Sequence, residues 1–561
     1  MSVFDHIESV VVPKSNFNLS HNNLTTMKMG YLYPTLCLEC YPGDFFNITT
    51  KHVVRLQPML APLMHQINIT HHFFFVPYRI IDKKNWEDFI TGGPKGNNDY
   101  ELPTFKPEVG ANGLNSLWDY LGFPLRQDNS YPDVSGVEPL AYPFLAYHRI
   151  WNEWYRDEDL IDDIEDDLDD LSTVQSKPWF NTIRPRAWEK DYFTISRPSA
   201  QKGTAPAVNV SLAGNMSYSG LNYLVDTSSA NPVTLPNFIP LTRFNANDDF
   251  LRQPPIELNE ELFISGATID DIKDVNADIK LVGINQYGVK NNTILGINPE
   301  QLAGGFGLNG VTAQFDISQL RLAVQMQKWL ERNMRAGNRY IEFLLAHFGI
   351  APNDARLQRP EYIGGTKAPI ISSEVLQTSA TGDGTTPLGS FAGHGISADK
   401  THATKYAVKE NGVIMCITSV LPRTTYSQGV NRQWLRRSRY DFYSPEFAHL
   451  SEQMVLSGEL YADGDEQANT TEFGFQGRFN ELRYIPNRFG AQMRNTFAYY
   501  HLGRWFDERP ILNSSFVQAE QVSTNPFAVT NEDTMICNIG FEIMATRPMP
   551  YYPTPGLLDH F

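Results

Sequence analysis

Apolar and polar positions alternate with period two over two early stretches of the chain. After Pro42-Gly43-Asp44, the residues Phe46, Ile48, His52, Val54 and Leu56 fall on one face, and Asn47, Thr49, Lys51 and Arg55 fall mostly on the other. Beyond Pro58-Met59-Leu60-Ala61-Pro62 the pattern repeats through Ile67, Ile69, His71, Phe73 and Phe75, until Pro77 removes the donor that would extend the ladder. The last third returns to alternation: Ile414, Cys416, Thr418 and Val420, then Cys537, Ile539, Phe541 and Ile543 against Asn538, Gly540, Glu542 and Met544. Helical spacing appears between these clusters. Leu114, Leu117, Trp118 and Leu121 predict a short helix ended by Gly122. Trp154, Leu160, Ile161, Ile164, Leu168 and Leu171 predict an acidic amphipathic helix from Trp151 to Leu171, with Asp157, Asp162, Asp163, Asp166, Asp167, Asp169 and Asp170 mostly on its other faces. Asp316 reads as an N-cap before Leu320, Ala323, Val324, Leu330 and Met334, with a break near Gly337 and a second helix from about Arg339 to Phe348. Strand clusters far apart in sequence, joined by long decorated connections, predict a mainly β fold: a single eight-stranded antiparallel jelly roll with helix-containing loop insertions.

The same pattern divides the chain. Residues 1–41 lack a clear period and read as an extended N-terminal arm. Residues 42–206 form the first part of the core with helical insertions, and 313–545 the second part with helices. Between them, 207–312 contains no Trp, Cys or His and is rich in Asn, Asp and Ile, a composition shift that marks an insertion. In 546–561, Pro548, Pro550, Pro553 and Pro555 forbid regular structure, leaving an extended strap held by its contacts.

Composition narrows the function classes. With 19% charged and 12% aromatic residues, the chain favours extensive burial, including between subunits. A net charge of -17 means that the chain as a whole cannot neutralise a phosphate backbone, so enclosing DNA would need a basic helper. Asp5 and Glu8 stand where a signal peptide has its basic region, and no apolar stretch approaches the roughly 20 residues that span a bilayer, so no membrane insertion is expected. Cys37, Cys40, Cys416 and Cys537 are expected to be buried free thiols.

Catalytic and metal motifs fail on context. Gly305-x-Gly307-x-x-Gly310 lacks the preceding strand and following helix of a dinucleotide site. Cys37-x-x-Cys40 with His65 and His71 has the wrong intervals for a zinc finger, and Asp463-Gly464-Asp465-Glu466 lacks the spacing of a calcium loop and reads as a solvated turn. Trp86-Glu87-Asp88 and Trp151-Asn152-Glu153-Trp154 are weak as a glycosidase pair, because adjacent acids point apart and aromatic residues at helical spacing are usually core. No catalytic residue, metal or cofactor is assigned. The stretch Arg432 to Tyr443 is different: Arg432, Arg436, Arg437 and Arg439 interleave with Trp434, Tyr440, Phe442 and Tyr443. Guanidinium groups neutralise phosphate while Trp and Tyr faces stack on bases, so Arg432, Trp434, Arg436, Arg437, Arg439 and Tyr440 are candidate contacts for single-stranded DNA, with Arg478, Arg483, Arg488 and Arg494 as extensions. Pairing of these arginines with carboxylates of a neighbouring subunit is the competing reading, of equal weight.

Several separated blocks carry a family resemblance. Arg55-Leu56-x-Pro58-Met59-x-Ala61-Pro62-x-Met64-His65, then Phe74-Phe75-Val76-Pro77-x-Arg79 and Trp86-Glu87-Asp88-Phe89-Ile90, resemble the major capsid protein of the gokushovirus branch of Microviridae, small single-stranded-DNA bacteriophages. Asp354-Ala355-Arg356-Leu357-Gln358-Arg359-Pro360-Glu361-Tyr362-Ile363-Gly364-Gly365 resembles the family's central motif. Arg504-x-Phe506-Asp507-x-x-Pro510-x-Leu512-Asn513 and Pro555-Gly556-Leu557-Leu558-Asp559-His560 resemble its C-terminal signatures. The stretch from about Ala207 to Thr312 matches no motif. The resemblance implies a non-enzymatic structural subunit with a jelly roll of viral capsid type. It also implies pentamers assembling into a 60-subunit, T=1 icosahedral shell around circular single-stranded DNA, made and assembled in the host cytoplasm and located in the virion. Implied partners are a small basic DNA-packaging protein, a minor capsid or pilot protein, and a host surface receptor reached through 207–312, which the resemblance implies is a surface-protruding insertion. The alternatives weighed against it are a β-sandwich carbohydrate-active enzyme and an adhesion module.

Overall fold

The computed structural model describes residues 13–83, 85–93, 100–171, 173–206, 317–376 and 391–552, with seven short strand segments between 211 and 314. Eleven strands outside that last region organise the chain: β1 (Ser15–Asn18), β2 (His21–Met27), β3 (Tyr33–Cys40), β4 (Phe45–Leu56), β5 (Ile67–Pro77), β6 (Glu361–Leu376), β7 (Phe391–Ala407), β8 (Gly412–Pro422), β9 (Glu452–Leu456), β10 (Glu472–Gly477) and β11 (Met535–Arg547).

β1 and β2 line one edge of β11 in unbroken register, Asn18 opposite Met544 and His21 opposite Phe541, so they act as one strand interrupted at Leu19 and Ser20. Eight strand positions result. Antiparallel pairing orders one sheet β1/β2, β11, β4, β7 and the other β3, β8, β5, β6. In chain order these positions read first, eighth, third, sixth and second, seventh, fourth, fifth, the double Greek key of a jelly roll. The long strands β6 and β7 join the sheets at one end, Ile371–Leu376 pairing with Phe391–Ile396.

Sequence alternation reports which sheet has a free face. In β4 every second residue is buried, which sends Phe46, Ile48, Val54 and Leu56 into the core between the sheets and Lys51 and Arg55 outward. β5 and β8 are buried on both faces. Their inner residues Ile69, Phe73, Phe75, Ile414, Cys416 and Val420 join the same core. Their outer residues Phe74, Val76, Val413, Met415 and Ile417 meet a second core built on α1 (Leu117–Tyr120) and α2 (Tyr142–Ile150), with Trp118, Phe144 and Tyr147 fully buried.

Three expectations are corrected or refined here. The helix expected from Trp151 to Leu171 does not form: α2 passes into a π-helical turn at Trp151–Tyr155, Arg156 is extended, and only α3 (Glu165–Asp169) is helical. The cause is Arg149, whose side chain is 1% exposed and donates to Glu165 Oε1 at 2.5 Å and Asp169 Oδ1 at 2.6 Å. A continuous helix would carry those carboxylates roughly 25 Å away along its axis, leaving a buried charge unpaired. The segment before Pro42 is extended but belongs to the sheets as β1, β2 and β3, because its partners β11 and β8 come from the far end of the chain. Among the thiols, Cys40, Cys416 and Cys537 are buried and free, whereas Cys37 is free but exposed, on the opposite face of β3 from Cys40.

The chain divides into two compact units, one formed by Met1–Thr204 with Lys328–Phe561 and the other by Ala205–Gln327. In the second, Ser211–Ala213 pairs with Thr312–Gln314, and Tyr223–Asp226 and Ile239–Pro240 both pair with Ile294–Ile297. The glycine string from Gly305 to Gly310 lies outside the described residues. Helices α4 (Ile317–Ala336) and α5 (Tyr340–Phe348) follow, separated near Gly337 as the apolar stripes predict. Among the described residues, no helix is long and apolar enough to cross a membrane.

Candidate nucleic-acid interface

The arginine-rich stretch lies in the connection that follows β8. Two single-turn 3-10 segments fix its backbone: Arg432–Trp434, capped where the Asn431 side chain accepts from Gln433 N at 3.1 Å, and Arg439–Asp441, capped by Ser438. Asp441 closes the second turn by accepting from Ser438 N at 2.7 Å and Arg437 N at 2.9 Å, and these backbone donors hold its carboxyl below the ordinary value.

The four arginines separate into two classes. Arg432 Nη1 donates to Glu459 Oε1 at 2.8 Å and to the Met454 carbonyl at 3.0 Å, and Arg436 Nη2 donates to Glu481 Oε1 at 3.2 Å. Both carboxylates are buried. Glu459 is further held by Tyr192 Oη at 2.8 Å and Leu456 N at 2.8 Å, and Glu481 by Gln453 Nε2 at 2.8 Å. Burial pushes the Glu459 carboxyl up, against the pull of Arg432. These two arginines therefore pin the loop onto a small core of Phe193, Tyr426, Val455, Leu460, Phe473 and Phe516.

Arg437 and Arg439 remain outside that network and are exposed. Arg439 lies over the Tyr440 ring at 4.8 Å, and Arg478 donates to the Tyr440 carbonyl at 3.1 Å. Trp434 is 72% exposed, and Tyr440, Phe442, Tyr443 and Tyr484 are about half exposed. Arg488 and Arg494 line the adjoining cleft of about 740 Å³ together with Trp434 and Tyr484, above a floor that includes Tyr192, Glu459 and Glu481. Arg483 turns back to the Arg478 carbonyl at 3.1 Å. The carboxylates that sort the arginines, Glu459 and Glu481, were not evident from the sequence; the available signal was that all 12 basic residues after Lys409 are arginine, the cation suited to forked pairing.

The other candidates occupy ordinary structural positions. Glu87 and Asp88 sit in the first turn of the helix Trp86–Thr91, Glu153 faces Arg359 at 3.9 Å, and Asp463 pairs with Arg509 at 2.7 Å. His65 bonds the Arg423 carbonyl at 2.5 Å and His71 lies in the core beside His52. Among the described residues, no group of three or more His, Cys, Asp or Glu side chains is arranged to hold a metal.

A jelly roll with an arginine and aromatic surface fits several classes of protein, and comparison with known families decides between them. The family described as Capsid protein (F protein) matches residues 5–557. The chain belongs to this family. Capsid protein VP1 of Chlamydia phage 1 is 31% identical over 600 residues, covering 99% of this chain and 97% of that protein. Capsid protein VP1 of Bdellovibrio phage phiMH2K is 30% identical, covering 100% and 98%, and that of Spiroplasma virus 4 is 28% identical, covering 97% and 96%. As a capsid protein, the chain is a structural subunit of a virion shell and not an enzyme. The carbohydrate-active reading falls with that assignment.

Proposed function

We propose that this capsid protein assembles as pentamers into a 60-subunit, T=1 icosahedral shell around a circular single-stranded DNA genome, in the host cytoplasm. Arg437 and Arg439 take backbone phosphates, and Trp434 and Tyr440 take base faces. Arg432 and Arg436 act as positioning residues that hold the loop through Glu459 and Glu481. The observation that carries this reading is the exposed pair of guanidinium groups among four half-exposed rings, in a chain of net charge -17. The charge deficit is met by a small basic DNA-packaging protein, and a minor capsid or pilot protein completes the particle. Residues 207–312 contact the host surface.

The test is electron microscopy and DNA content of particles from cells making the chain with its viral partners. The double variant Arg437→Gln/Arg439→Gln should form uniform icosahedral shells that retain less DNA than the parent. Unchanged DNA content would remove these residues from the interface, and small soluble oligomers from the parent chain would overturn the shell itself.

A further inference from the structure

The outward face of the sheet β1/β2, β11, β4, β7 is basic, although the chain is acidic. Lys51 and Arg55 on β4 and Lys400 and Lys405 on β7 are exposed there. Lys51 stands directly opposite Lys400 in the ladder, an arrangement of like charges that destabilises a strand pair. Glu542 on β11 offsets one of the two charges, lying 2.7 Å from Lys400 Nζ and 3.7 Å from Lys51 Nζ. Arg55 lies four residues along β4 from Lys51, roughly 13 Å at strand rise, and Lys405 five residues along β7 from Lys400, so neither shares that carboxylate. Four cations thus face one anion.

The rest of the face is uncharged and partly apolar. Phe45, Val53, Ile536 and Met544 are exposed on it, interspersed with Asn47, Thr49 and Asn538. Gly540 occupies the centre, opposite Lys51, where an added Cβ would meet the Lys51 side chain; its absence lets that aliphatic stem lie flat across the sheet.

We propose that this sheet face is a second docking surface for single-stranded nucleic acid, its cations taking backbone phosphates and its exposed apolar side chains taking the faces of unpaired bases. The proposal rests on the reading of the chain as a shell around such a strand. An acidic surface of a second copy would also match the charge, but more than half of the ten carboxylates in the most acidic run, Asp157 to Asp170, are already engaged by cations of their own subunit. Asp157 pairs with Lys190, Asp163 with Arg156, Asp167 with Lys177, and Glu165 and Asp169 with Arg149 and Lys83. A phosphate chain carries no such internal partners, and a flat face of dispersed cations and apolar groups meets its alternation of phosphate and base.

The experiment uses the full chain and a labelled oligothymidylate, with binding followed by anisotropy across a salt series. Arg55→Gln/Lys405→Gln keeps the Lys51, Glu542, Lys400 cluster intact. The slope of log K against log salt should become shallower by about 1.4, since each lost single-strand phosphate contact removes about 0.7; each single variant should give about half of that. An unchanged slope overturns the proposal. Arg437→Gln/Arg439→Gln serves as the companion: weakening there, with none in the sheet variant, refutes the sheet surface and leaves the loop reading standing. Absence of binding by the parent overturns both. An unchanged DNA slope with impaired particle assembly would assign the face to a second copy instead, and also overturns the proposal.

Discussion

A chain of polar side chains crosses the core between the sheets, residue by residue. Ser397 Oγ lies 3.0 Å from His52 Nε2, His52 Nδ1 lies 3.2 Å from His71 Nε2, and His71 Nδ1 lies 2.8 Å from Thr418 Oγ1, which lies 2.8 Å from Thr35 Oγ1. One proton satisfies the contact between the two rings; a second would set two N–H donors against each other. Burial pushes His71 down to about 3, with His52 and His72 adding to the shift, and lowers His52 as well, with the nearby Asp399 opposing. Because the folded value lies below the unfolded one, the unfolded chain binds more protons between about pH 6.5 and pH 3, and stability falls as pH falls through that window. Each such histidine contributes up to about 1.4 kcal/mol per pH unit. Urea midpoints measured from pH 7 to pH 4 should therefore decline, and His71→Asn should decline less steeply. Equal slopes for parent and variant would show that the His71 proton is not what couples stability to pH.

At the scale of elements, the route of the chain from α2 to α3 is set by one buried guanidinium. Removing it with Arg149→Met leaves Lys83 as the cation beside Glu165 and Asp169, at 2.5 and 3.0 Å. Losing charge-assisted hydrogen bonds to carboxylates that stay partly exposed and paired costs about 1.5 to 3 kcal/mol, and the loss should be local: faster amide exchange through residues 156–170, with β5 and β8 little changed. Uniform acceleration across the sheets would instead make Arg149 a determinant of the whole core. This site also marks the limit of what the sequence alone conveys. Strands β4, β5, β8 and β11 are legible because alternation is a local property. The acidic run has helical spacing, yet a partner buried on the preceding helix overrides it. The pairing of β1, β2 and β3 depends on strands hundreds of residues away, which no local period encodes. The candidate interface divides in the same way: interleaved arginines and rings are visible as a string, but which guanidiniums stay free depends on Glu459 and Glu481, 27 and 45 residues beyond the arginines they bind.

For the whole molecule, the two sheets and the unit Ala205–Gln327 are separable problems. Strand Ser211–Ala213 pairs antiparallel with Thr312–Gln314, Ala213 opposite Thr312, so the two ends of the stretch between these strands are adjacent. Replacing residues 214–311 by Asn-Gly would close that pair with a two-residue hairpin turn, the connection that antiparallel strands favour. The jelly roll draws all eight of its strand positions from outside the excised stretch, and its core residues come from the same strands and their flanking segments. The shortened chain should therefore fold and still assemble into shells of the parent symmetry, while particles bearing it attach to host cells several-fold less. Shells with normal attachment would remove the host-contact role from 207–312. Soluble, folded subunits that no longer assemble would show that this unit holds neighbouring copies together, which places it in the architecture of the shell and not in its dealings with the host.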